Sequence, residues 1–151
     1  MMKQIRILMG KKDGSLLDKV VEVDESYFGG KGANRAYEWK SNAKKEIIMG
    51  MVQRNGKAYM KHIPQATQKV LVKEIKEHID PKAHVMTDGL LAYKNLPEYG
   101  YFKHYTIDHA YILNKIFEEL WGRIKLAVKG VYRHVRPKYL ERYMREYYFS
   151  I

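Results

Sequence analysis

Apolar and polar positions change period several times along the chain, and each change marks an element. Val20 to Phe28 is β-branched and partly alternating, closed by Gly29-Gly30, and reads as a strand. Gly29 to Lys45 is polar, basic and Gly-containing, which is the pattern of an exposed loop. Two more strands follow, Ile47 to Arg54 and Lys57 to Ile63, joined by Asn55-Gly56, the dipeptide favoured in a type I′ hairpin turn. After Pro64 the spacing of Val70, Leu71, Ile75 and Ile79 predicts an amphipathic helix that stops before Asp80-Pro81. His84 to Thr87 is a short strand ending at Asp88-Gly89, with a helical turn or two from Leu90 to Asn95. Tyr101 to Ile107 is a fifth strand, Ile112 to about Val128 a long helix, and a last helix starts after Pro137. Three leading strands and then alternating helices and strands predict an α/β fold, a mixed five-stranded sheet with flanking helices.

Composition narrows what such a domain can do. At 151 residues one domain is the natural count, and 46% hydrophobic residues supply a core. The absence of cysteine excludes a thiol nucleophile, a disulfide framework, Cys-ligated zinc and an iron–sulfur cluster. No apolar run of ~18 residues suggests a spanning helix, and the first residues lack a secretory pattern, so the expectation is a cytoplasmic protein away from membranes. The formal charge is +11, and from Trp121 to the end eight Lys/Arg face only Glu141 and Glu146. A basic, aromatic-rich C-terminal segment fits a polyanion, nucleic acid first, although a solvated helical surface has the same composition.

Three acids fall where a sheet-based active site would place them. Asp24 lies inside a Val-rich strand, where burying a carboxylate is costly unless a cation compensates; a strand-end acid facing solvent is the alternative. Asp88 follows a strand, at the end where α/β sheets bind ligands, and is equally suited to be an ordinary turn residue. The third candidate comes from the long helix. At about 100° per residue, Leu113, Leu120, Ile124 and Val128 share a stripe with Phe117, Glu119 faces away, and Glu118 sits at the border with Asn114, Trp121 and Lys125. An amide, a carboxylate, an indole and an ammonium in a row suit a metal and a phosphodiester, or make a polar strip at a core boundary.

In order and combination these residues resemble a known family. Val21-Glu22-Val23-Asp24-Glu25-Ser26-Tyr27-Phe28-Gly29-Gly30-Lys31 is similar to the opening motif of the catalytic domain of ISXO-type bacterial insertion-sequence transposases. Thr87-Asp88-Gly89 with Ala92-Tyr93 resembles the second acidic motif, and Glu118, Leu120-Trp121, Lys125, Lys129 to Val135 and Pro137 to Tyr147 the third motif and closing helix. The resemblance implies an RNase H-like fold over residues 20–151, with 1–19 an N-terminal remnant or linker. It implies a DDE triad of Asp24, Asp88 and Glu118 holding two divalent ions, Mg²⁺ or Mn²⁺. It further implies phosphodiester hydrolysis at element ends followed by strand transfer into target DNA, performed by a homodimer on DNA. Lys125, Lys129, Arg133 and Lys138 are the expected DNA contacts. Trp121 is expected to pack beneath the site or stack on a displaced base.

Two departures qualify the resemblance. The connection from Ile107-Asp108-His109-Ala110 to Glu118 is compressed, which leaves Asn114 as a second candidate for the third position. Full-length relatives carry a Cys-rich zinc ribbon and a helix-turn-helix ahead of this domain, so a cysteine-free chain of 151 residues reads as a catalytic domain alone, a truncated copy. The competing readings are a nonenzymatic DNA-binding protein derived from a transposase and an RNase H-like nuclease that needs no element ends.

Overall fold

The computed structural model describes residues 14–28, 45–54, 56–107, 121–123, 125–126 and 139–143. Five strands form one sheet: β1 (Val20–Phe28), β2 (Glu46–Gln53), β3 (Ala58–Ile63), β4 (His84–Thr87) and β5 (His104–Thr106). Their spatial order is β3-β2-β1-β4-β5, with β1–β2 and β2–β3 antiparallel and β1–β4 and β4–β5 parallel. The expected mixed five-stranded sheet is therefore present, with β1 at its centre. A single helix, α1 (Gln68–His78), carries the chain from β3 across β2 and β1 to β4. Residues 121–123, 125–126 and 139–143 are helical, within the two helices that the sequence pattern predicts. Among the described residues no helix is long and apolar enough to cross a membrane.

Strand alternation divides the sheet into two buried faces. Val21, Val23, Met49, Met51, Tyr59 and Ile63 pack with Leu71, Val72, Ile75 and Ile79 of and after α1, together with Tyr93, Leu96 and Tyr101. The other face takes Glu22, Asp24, Ser26 and Phe28 of β1 and is closed by Trp121, whose ring meets Phe28 edge-on with centroids 6.2 Å apart. Glu141 fixes the last helical segment to the β3 edge, accepting from the His62 backbone N–H at 3.2 Å. Cover on both faces explains why β2 reads as the unbroken apolar run Ile47-Ile48-Met49-Gly50-Met51-Val52.

Several local expectations are corrected. The β2–β3 hairpin forms, but Gly56 does not have positive φ, so its turn is not type I′; the Gly56 N–H instead closes on the Gln53 carbonyl at 3.1 Å. β5 is limited to His104–Thr106 rather than starting at Tyr101. Gly100, at φ 98°, ends a 3-10 turn (Leu96–Tyr99), and Tyr101 drops into the core, its hydroxyl donating to the Ile79 carbonyl at 2.9 Å. Residues 15–19, expected in a linker, pack as part of the domain. Leu17 is fully buried, bridges Ile79, and exchanges backbone hydrogen bonds with His78 and Asp80.

Candidate active site

The parallel ladder between β1 and β4 fixes the position of two of the expected acids. It pairs Val20 with His84, Val21 with Val85 and Glu22 with Met86, and continuing the same offset puts Asp88 level with Asp24. β4 ends at Thr87, so Asp88 stands where the chain leaves the sheet beside the continuing β1. Across β1 on the other side, Asp24 pairs with Gly50, which places no side chain beside it. Asp24 and Asp88 are both partly buried. One Asp88 oxygen accepts from the Leu90 N–H at 3.1 Å, the turn geometry expected of an Asp before Gly. That bond holds the loop that follows β4 at the end of the sheet.

Glu22 does not face solvent. It is buried on the same side of β1 as Asp24, and Arg54 Nε donates to its Oε1 at 2.8 Å, an ion pair that neutralises one acid of this face internally. Asp24 has a different partner: the indole Nε1 of Trp121 donates to its Oδ2 at 2.8 Å. Trp121 itself is buried, well inside the border position that helical geometry suggested. Lys125, one turn further on, is exposed with its Nζ 5.8 Å from the Phe28 ring centroid.

Glu25 was not singled out as a site residue from sequence. It points to the α1 face, where the Tyr93 hydroxyl donates to its Oε2 at 2.6 Å. Burial raises its carboxyl to about 7, the Tyr93 hydrogen bond pulls it back, and the charges of Asp88 and then Asp24 push it up again. Tyr93 is held well above the ordinary phenol range by burial and by the same three acids, so it stays a proton donor. The available signal was the alternation itself: an acid next to Asp24 in a Val-rich strand must enter the opposite core. A further support was also missed. Thr87 donates to the Asp88 backbone carbonyl at 3.0 Å and accepts at 2.8 Å from His104 Nε2, which burial keeps below the usual imidazole pKa.

Glu118 and Asn114 lie outside the described residues, as do Asp108, His109, Lys129, Arg133 and Lys138. Among the described residues, Glu74, Glu77 and His78 on α1 also converge as potential ligands. Their chemistry is poor for a cation: the ring nitrogen 3.8 Å from Glu74 Oε2 is Nδ1, which must keep its proton to donate to the Glu74 backbone carbonyl at 2.8 Å.

The family model of the ISXO2-like transposase domain matches residues 16–151, from the segment in which Leu17 is buried to the last residue. The chain belongs to this family. It is a DDE transposase catalytic-type domain, of an enzyme family with nuclease-type chemistry. The catalytic core domain of HTLV-2 integrase, solved with magnesium in a dimeric form, is similar to the transposase domain with a TM-score of 0.50. The identity is 10%, over 87% of this chain and 86% of that one, and the likeness bears on the fold, which is RNase H-like. A simian T-cell lymphotropic virus intasome, solved by cryoEM with the PP2A regulatory subunit B56 gamma, gives a TM-score of 0.48 at 13% identity, over 87% of this chain and 49% of that one. Comparison with curated proteins gives no match.

Proposed function

We propose that this transposase domain cleaves and joins DNA at insertion-sequence ends, with Asp24, Asp88 and Glu118 as the divalent-metal ligands. The observation that carries the reading is the register of the parallel β1–β4 ladder, which, continued past its last pair, puts Asp88 just after β4 level with Asp24 on β1. Carboxylates brought together in this way repel one another and offer hard oxygen ligands, the donor set that Mg²⁺ and Mn²⁺ take. When bound, a pair of such ions supplies activation of the attacking oxygen and stabilisation of the leaving oxygen in an in-line displacement at phosphorus.

The chain's own residues do the rest. Asp24 on the central strand, Asp88 just after β4 and Glu118 from the third motif would hold the ions. Arg54 keeps Glu22 occupied, so that the buried acid two residues before Asp24 does not compete for a cation. Lys125, exposed near the end of β1, contacts phosphate beside the scissile bond. Lys129, Arg133 and Lys138 extend that basic track along the DNA. The catalytic domain, the segment around Leu17 included, acts as a homodimer on paired ends in the cytoplasm.

The test is cleavage and strand transfer on DNA carrying the element's ends, with Mg²⁺ or Mn²⁺. The wild type nicks and joins, and Asp24→Ala, Asp88→Ala and Glu118→Ala each abolish both steps while DNA binding persists. Cleavage that survives all three substitutions overturns the triad. DNA binding with no metal-dependent cleavage in the wild type assigns the chain to a nonenzymatic role, and cleavage indifferent to the end sequence makes it a general nuclease.

A further inference from the structure

We infer that Trp121 is a positioning residue for the metal site: its indole N–H fixes the Asp24 carboxylate and locks the helical segment that follows Glu118 onto β1. The inference rests on the reading of Asp24 as a metal ligand and adds a residue and a role to it.

Indole nitrogen is a donor only, and an aspartate oxygen has two lone pairs. The 2.8 Å bond from Trp121 Nε1 to Asp24 Oδ2 therefore engages one lone pair of that oxygen and sets the orientation of the carboxylate. An N–H donor can satisfy the carboxylate without neutralising it, whereas an Arg or Lys in this place would compete with the metal for the charge. Arg54 pairs with Glu22, two residues earlier on β1. Partners of this kind orient a ligating group, and their loss typically costs about 10–100-fold in metal affinity.

The indole is well suited to hold its place. It is 6% exposed, and its ring packs edge-on against Phe28, four residues along β1 on the same face as Asp24. Packing fixes the ring plane, and the ring plane fixes the direction of the N–H. Trp121 also follows Glu118 by three positions in sequence, and its hydrogen bond ties the helical residues 121–123 to β1. Misplacement by about 1 Å costs on the order of a hundredfold in rate, which gives such a tie a function beyond packing.

The experiment is Mn²⁺ titration by calorimetry on the full chain, in the wild type, Trp121→Phe, Asp24→Ala, and a Trp39→Phe chain with benzothienylalanine at position 121. The last variant exchanges the N–H for sulfur at nearly constant shape, so it remains readable where Trp121→Phe loses stability. Expected is at least a tenfold weaker Mn²⁺ affinity in both Trp121 variants and no binding in Asp24→Ala. The indole N–H signal of Trp121, assigned with Trp39→Phe, is expected to move on Asp24→Asn, a response that packing alone does not give. Unchanged affinity in the benzothienylalanine chain, alongside lost binding in Asp24→Ala, overturns the positioning role and leaves the metal site standing. Unchanged binding in Asp24→Ala overturns the metal-site reading itself.

Discussion

Adjacent acids on β1 have opposite fates because a strand sends successive side chains to opposite faces. Asp24 meets an indole donor on the side open to Gly50, whereas Glu25 enters the α1 core and meets Tyr93. The raised Glu25 carboxyl has a thermodynamic consequence. Its folded value of about 7 lies above the ordinary 4.5, so the native state holds this proton more tightly than the unfolded chain. Stability from this group is complete below pH 4.5 and is lost as pH rises to about 7, where both states release the proton. At ~1.4 kcal/mol per pKa unit, the interval from 4.5 to about 7 makes the loss on the order of 3–4 kcal/mol. Urea denaturation in EDTA is expected to show Glu25→Gln gaining that amount on the wild type between the two pH limits, with a flat difference above them. Tyr93→Phe removes the hydrogen bond that favours the ionised form, so the Glu25 midpoint, followed by carboxyl carbon NMR, moves above 7.

At the scale of elements, the segment before β1 is where structure departs most usefully from pattern. Leu17 inserts between β1 and the end of α1, with its N–H and carbonyl both bonded to the chain around Ile79. Leu17→Ala is expected to cost about 3 kcal/mol in urea denaturation, the usual range for a fully buried leucine, and a chain beginning at residue 20 to lose at least as much. A value under about 1 kcal/mol would return this segment to the status of a linker. Nothing in the sequence announces the contact, since Leu16-Leu17 among Gly, Ser, Asp and Lys has no period, and only the α1 terminus makes Leu17 internal. β1, by contrast, is legible end to end, because β-branched residues run up to a Gly-Gly stop and both faces need filling. α1 is legible for the same reason: its apolar spacing ends at Asp80-Pro81. Tyr101 was misread as strand because its fate depends on the left-handed Gly100 and on two distant carbonyls. Within the candidate site, Asp24 is legible as an acid inside a Val-rich strand and Asp88 as one that follows a strand. The Trp121 bond joins positions far apart in sequence, and helical geometry alone placed that indole at a border rather than on a carboxylate.

For the molecule as a whole, the +11 charge and the acidic centre pose opposite demands. On the proposed function, DNA approaches carboxylates that repel it, and the cations at the rim outweigh that repulsion. Each phosphate neutralised by Lys or Arg releases counterions, so the logarithm of affinity falls with the logarithm of salt by about 0.9 per contact. If Lys129, Arg133 and Lys138 carry the track, replacing all three with Ala lowers the measured slope by roughly 3. Fluorescence anisotropy on one duplex between low and physiological salt reads this directly. Asp24→Ala is expected to leave the slope unchanged, because a carboxylate releases no counterion from DNA. A slope unaltered by the triple substitution points elsewhere on the surface: Lys69, Lys73 and Lys76 are exposed along one groove of α1 beside Tyr99, and their replacement would then carry the missing dependence. The two outcomes put the duplex against different layers of the sheet. Only the layer containing Trp121 and Lys125 brings the phosphates to the face of β1 on which Asp24 lies.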